Sequence, residues 1–132
     1  MPEALSLGED FMLLSSARFE PGKIEVTEFF SYGCPHCYDL HPLLVKWTAR
    51  QPADVVVRRV PAGWNPFYQL MARLYYTLEA TGELKRLDEA AFQAIHVKGL
   101  KLIDEKSILE WAVSQGVDAK KFSDAFNSFG VV

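Results

Sequence analysis

Two cysteines are too few to staple a 132-residue chain, so the fold cannot rest on a disulfide scaffold. Nor does it need one. With 49% apolar residues and 13% aromatics, a single domain of this size buries roughly two-thirds of its unfolded surface in one core. Long apolar runs are missing: stretches such as Val55, Val56 and Val57 fall far short of the ~20 residues of a spanning helix. An excess of positive charge is missing too. Fourteen basic residues against 17 acidic ones give a net charge of -3, with no cationic stripe, which argues against nucleic acid as a partner. Met1 to Asp10 contain neither a basic n-region nor an apolar h-region, so no secretory signal is expected there. A cytosolic protein and a mature exported domain would look alike in this respect. No repeat, linker or low-complexity segment divides the sequence.

What is present begins with a strand. From Ile24 to Ser31, Ile24, Val26, Glu28 and Phe30 share one face, and Glu25, Thr27, Phe29 and Ser31 the other. Apolar groups on both sides suit a strand inside a covered sheet. After Tyr32 and Gly33 a helix is expected from Cys34, with Pro35 where the first turn tolerates a missing N–H. Cys37, Leu40, Leu44 and Trp47 recur at helical spacing and predict its buried face. Val55 to Val60 reads as a second strand stopped by Pro61, which completes a βαβ unit with parallel strands. Beyond Asn65 the pattern is helical throughout. One helix starts at the Asn65 cap and Pro66 and stops near Gly82, and another covers about Leu87 to Lys98 and ends at Gly99. A third runs from Asp104 to Gly116, and a fourth follows Asp118 through Phe122, Ala125, Phe126 and Phe129.

The chemistry concentrates in Cys34-Pro35-His36-Cys37, at the expected strand-to-helix turn. Cysteine attacks as the thiolate, and the unpaired N–H groups and positive end of a helix favour that anion. Cys34, outermost, is the expected nucleophile. Cys37, one turn further in, is placed to resolve a mixed disulfide. His36 adds a donor and, when protonated, a cation beside Cys34. Favouring the reduced anion makes the disulfide a stronger oxidant of other thiols. Two rival readings stay open. A structural bridge is one, although so small a loop contributes less than the ~3 kcal/mol of a 15-residue loop. A metal site built from Cys34, Cys37, His41 and His96 is the other, against which stands the lack of a second close ligand pair.

Glu28 points with Ile24, Val26 and Phe30 toward an apolar face, six positions before Cys34. A buried carboxylate there would resist ionisation and could carry protons for Cys37. Arg58 or Arg59 could pair with it across the strands, but alternation sends them to opposite faces, so at most one can do so. His96, Tyr75, Tyr76 and Trp111 read as packing residues.

The run from Ile24 to Cys37, Ile-Glu-Val-Thr-Glu-Phe-Phe-Ser-Tyr-Gly-Cys-Pro-His-Cys, resembles the active-site segment of the bacterial DsbA family. Gly116-Val117-Asp118 and the stretch Phe126 to Phe129 resemble the end of that family's helical insertion. The resemblance implies an α/β fold in which a thioredoxin-like βαβ unit carries an inserted or appended helical domain. Residues 1–62 would form the N-terminal part of the thioredoxin-like domain, and 63–132 the helical domain. It implies a protein disulfide oxidoreductase with Cys34 attacking, Cys37 resolving, His36 and Pro35 between them and Glu28 beneath, needing no cofactor beyond the Cys34–Cys37 disulfide. Implied as well are a periplasmic location, unfolded or reduced secreted proteins as substrates, and reoxidation by a membrane partner of the DsbB type. A thioredoxin-like reductase or isomerase would use the same cysteines, and a non-enzymatic binding module would keep them as a bridge. Family members continue into a cis-proline loop, a hairpin and a last helix. The last proline here is Pro66, so those parts are expected to be absent from this chain. The strand edge so left open would favour an edge-paired or swapped homodimer.

Overall fold

Proline and glycine punctuation sets the chain's path, and a computed structural model describes residues 22–128. Expectations for Met1 to Asp10 and for Phe129 lie outside the described residues. Strand β1 (Ile24–Phe30) leads through a four-residue turn into helix α1 (Pro35–Ala49), which returns the chain to strand β2 (Val55–Pro61). The strands run parallel with Ile24 opposite Val55 and Phe30 opposite Pro61. Pro61 lacks the N–H to go on pairing, and the ladder closes on Ala62, whose N–H donates to the Phe30 carbonyl at 2.7 Å. Among the described residues the sheet has these two strands. Cover is therefore one-sided: Phe30 is buried, whereas Phe29 on the opposite face is 56% exposed.

Helices α2 (Pro66–Ala80), α3 (Leu84–His96), α4 (Glu105–Ser114) and α5 (Ala119–Phe126) follow. Their starts are side-chain capped where the sequence offers a cap. Asn65 Oδ1 accepts the Tyr68 N–H, Asp104 Oδ1 the Ser107 N–H and Asp118 Oδ1 the Lys121 N–H, all at 2.8–2.9 Å. The expected stops Gly82, Gly99 and Gly116 have φ of 75°, 66° and 87°, a region that side chains with a Cβ rarely adopt. Helix α3 differs from the expectation, beginning three residues earlier and ending at His96 rather than Lys98. Its start carries no side-chain cap, so nothing in the sequence marks it.

The core joins both halves of the chain. Phe30 and Tyr32, at the end of β1 and in the turn, pack in one cluster with Leu74 and Leu78 of α2, Phe92 of α3, Ile108 and Trp111 of α4, and Phe122 and Phe126 of α5. Helix α1 stands apart from it. No α1 residue is fully buried, and Leu40, expected on its buried face, is 45% exposed. The packed side is instead Cys37 and Tyr38, joined by His41, because α1 rests on α3 through the Phe92 ring.

Candidate active site

The turn that presents the cysteines is held from below. Ser31 and Tyr32 are buried; the Ser31 carbonyl accepts the Cys34 N–H at 3.1 Å and its Oγ accepts the Gly33 N–H at 3.1 Å. Gly33 leaves room for its neighbour: a Cβ there would lie 2.2 Å from Cε2 of Phe67 in α2, so any larger residue would force that ring to move. Cys34 is the N-cap of α1 in extended conformation, with Pro35 following as the first helical residue. Its Sγ accepts the Cys37 N–H at 3.3 Å, occupying the place a serine or aspartate oxygen takes in most caps. The Cys34 carbonyl accepts the Tyr38 N–H and closes the first turn. Cys34 therefore has its sulfur at the positive end of the helix, as expected, and His36 projects, exposed, from the same turn.

The two thiols differ. Burial first, then the hydrogen bond to Cys34, pushes the Cys37 thiol up to about 11; the charges of Cys34 and Glu28 add to this and the Ser31 backbone opposes it. At pH 8 a thiol of that strength is ionised to roughly one part in a thousand. A short iodoacetamide pulse on the reduced chain at pH 8 is expected to give one adduct, at Cys34. Labelling of Cys37 should appear only as the pH climbs toward 11. Equal labelling of both at pH 8, read by peptide mass spectrometry, would contradict this asymmetry.

Below the turn lies an ionic network. Of the two candidate arginines, Arg59 pairs with Glu28 (Nε to Oε1, 3.3 Å), while Arg58 faces Glu25 at 2.8 Å on the other side of the sheet. Alternation along β2 produces this division. The surroundings of Glu28 are not the apolar face expected: besides Arg59 it meets a cleft of about 370 Å³ between α1 and β2. Arg59 reaches further, donating from Nη1 to Oδ2 of Asp88 at 2.8 Å and lying 4.0 Å above the Phe30 ring. Asp88 also accepts the Tyr32 hydroxyl at 2.8 Å and stands 3.7 Å from His41 Nε2. Burial, then Asp88, raises the Tyr32 phenol far above its ordinary range, so it stays a donor. Sequence reasoning missed Asp88. It lies 29 positions from Arg59 in a helix with no motif around it.

The two histidines of the rival metal reading are engaged elsewhere. His41 faces Asp88, and His96 Nε2 donates to the Tyr32 carbonyl at 2.7 Å with its ring stacked on Tyr38. Both cysteines are free thiols.

No protein-family model matches the chain. Whole-protein comparisons do find relatives. The chain is 47% identical over 111 residues to the thiol:disulfide interchange protein DsbA of Bordetella pertussis, covering 84% of this chain and 53% of that protein. It therefore spans about half the length of that curated relative. A crystal structure of Pseudomonas aeruginosa DsbA superposes with a TM-score of 0.78 at 39% identity, over 85% of this chain and 58% of that one. A structure of oxidised PaDsbA1 with a bound triazol-4-amine compound gives 0.78 at 36% identity, over 98% of this chain and 70% of that one. The thioredoxin-like fold with a helical insertion, the Cys-Pro-His-Cys turn and these likenesses lead to one conclusion: the chain belongs to the DsbA family.

Proposed function

We propose that the chain carries the cysteine centre of a periplasmic thiol:disulfide oxidoreductase, which introduces disulfides into unfolded or reduced secreted proteins. The observation that carries this reading is the Cys34 sulfur at the N-cap of α1, accepting the N–H of a Cys37 that is itself held as a thiol. In the oxidised pair a substrate thiolate attacks Cys34 Sγ. A substrate–Cys34 bond forms, the Cys34–Cys37 bond breaks, and the electron pair leaves on Cys37, which its high proton affinity then converts to thiol. A second substrate thiolate attacks the substrate sulfur, a substrate disulfide forms, and Cys34 departs as thiolate. The substrate loses two electrons and the cysteine pair gains them, so no cofactor enters.

The other assignments belong to the same proposal. Glu28 is the group that takes and returns protons for Cys37, supported by its charge reaching that thiol. His36, on the exposed first turn, adds a donor and, when protonated, a cation beside Cys34, and so makes the pair oxidising. Residues 1–62 supply the chemistry and 63–132 its helical cover, and a membrane protein of the DsbB type restores the disulfide; likeness to relatives named thiol:disulfide interchange protein DsbA supports the exchange chemistry. Equilibration of the chain in millimolar reduced glutathione tests the oxidase reading. An oxidase pair is largely reduced there and forms disulfides in an added reduced substrate protein. A pair that stays oxidised would make the protein a reductase instead.

A further inference from the structure

Ser31 to Cys34 form a hydrogen-bonded turn, closed by the Cys34 N–H on the Ser31 carbonyl at 3.1 Å. The peptide in its middle joins Tyr32 to Gly33, and side chains hold both of its polar groups. Its carbonyl accepts from His96 Nε2 at 2.7 Å, and its N–H donates to Ser31 Oγ at 3.1 Å. A carbonyl can only accept, so the histidine hydrogen sits on Nε2, and a further proton on Nδ1 would leave the bond in place. His96 is the last residue of α3, and its half-buried ring is set against Tyr38 of α1, stacked at 5.1 Å with 21° between the planes. A turn of this length has two forms that share the closing bond and differ by rotation of the middle peptide through about 180°. The second form puts the third residue of the turn at positive φ, which glycine accepts without steric cost. Gly33 is that third residue. The glycines at positive φ are Gly22, Gly82, Gly99 and Gly116, so Gly33 stands in the first form although its residue type permits both.

From this arrangement we infer that His96 is a positioning residue for thiol exchange, which locks the Tyr32–Gly33 peptide in one of the two orientations open to it and so holds Cys34 in a single backbone setting. The inference rests on the exchange reaction proposed above. Rotation of the peptide would keep the bond between Ser31 and Cys34 but break the bonds to His96 and to Ser31 Oγ, next to a Tyr32 that is buried. An unpaired peptide group in such a place is costly, and this is what favours the observed form. Cys34 is attacked, and later departs, from the N-cap of α1, where its Sγ accepts the Cys37 N–H at 3.3 Å. A bond of that length is easily lost when the backbone before it shifts. With two settings of the turn in exchange, only the molecules in the productive one react.

His96→Gln keeps an N–H donor at the reach of Nε2, and His96→Leu removes it. Ser31→Ala frees the other end of the same peptide and leaves α3 untouched. Isotope-labelled glycine in the whole chain makes the Gly33 amide visible by NMR among only eight glycines. The parent and His96→Gln are expected to show one Gly33 signal. His96→Leu and Ser31→Ala should show a second or exchange-broadened one, since loss of one such bond shifts the ratio of the two forms by roughly five- to tenfold. The rate at which the oxidised chain oxidises a small dithiol should fall by roughly two- to fivefold in His96→Leu and Ser31→Ala and stay at the parent's level in His96→Gln. If His96→Gln and His96→Leu are slowed alike, each with a single Gly33 signal, the ring acts by packing on Tyr38 and the inference fails. Should His96→Leu not fold, Ser31→Ala decides, and a single Gly33 signal with a parental rate overturns the lock. A parent chain that does not oxidise the dithiol at all overturns the exchange reading itself and takes this inference with it. A parent that does, with an indifferent His96→Leu, overturns the role of His96 alone.

Discussion

Cys34→Ser is expected to abolish thiol exchange, lowering the rate by roughly a thousandfold or more, while leaving the fold intact. The two halves of that statement have separate causes. A serine hydroxyl is not appreciably ionised near neutral pH and is no substitute for a thiolate, so the reacting anion is gone. Serine is at the same time a favoured N-cap, able to accept the Cys37 N–H that Cys34 Sγ accepts at 3.3 Å, so α1 loses nothing at its start. Cys37→Ser should behave differently. Cys34 of that variant can still attack a disulfide-bonded peptide, forming a bond to one peptide sulfur and releasing the other as thiolate. No second thiol then follows to resolve the product. Mixed disulfide should accumulate for Cys37→Ser on a non-reducing gel and be absent for Cys34→Ser. Capture by Cys34→Ser with none by Cys37→Ser would reverse the two roles.

The cysteine turn was legible in the sequence because its determinants are local. A strand-like alternation, read to Ser31 and ending in the structure at Phe30, a proline at the first helical position and two cysteines one turn apart all act within a few residues, and the proline and cysteines sit where that reading places them. The pairing of Glu28 with Arg59 was half-legible: alternation allowed one arginine, but the choice depended on register, which puts Glu28 directly opposite Arg59. What the sequence concealed was tertiary. Asp88 joins Arg59, Tyr32 and His41 only because α3 packs beside α1, and Phe67 lies against Gly33 only because α2 folds back onto the cysteine turn. The same cause explains the misread face of α1. Helical spacing ranks Leu40 with Cys37 and Leu44, but the neighbour that decides burial is Phe92, and it approaches from the side of Tyr38 and His41. Periodicity identifies a stripe without saying which part of it finds a partner.

Phe92→Ala is the core substitution with the largest expected cost, about 3–5 kcal/mol, because its ring is fully buried and its neighbours cannot close over the space. Five aromatic rings surround it. Tyr32 meets it edge-on with centroids 5.0 Å apart, His41 lies at 5.0 Å, and Tyr38, Phe30 and His96 at 6.1, 6.2 and 6.4 Å. Three of these come from α1 or the cysteine turn, one from β1 and one from α3 itself, so the ring binds the helices to the cysteine segment. Removing it forfeits the transfer of a large apolar group, leaves a cavity, and withdraws ring–ring contacts that contribute beyond area. For a domain of this size such a loss lowers the thermal midpoint by roughly 10–20 °C. Phe92→Leu, retaining most of the volume, should cost about a third as much. Trp64→Ala provides the contrast: a larger side chain, but 74% exposed, whose loss should change stability by no more than about 0.5 kcal/mol. Calorimetry on the three variants measures the order directly. Should Phe92→Ala unfold within a few degrees of the parent, the helices and the cysteine turn do not share the single core described here, and the tie between them must lie in the Arg59–Asp88 pair instead.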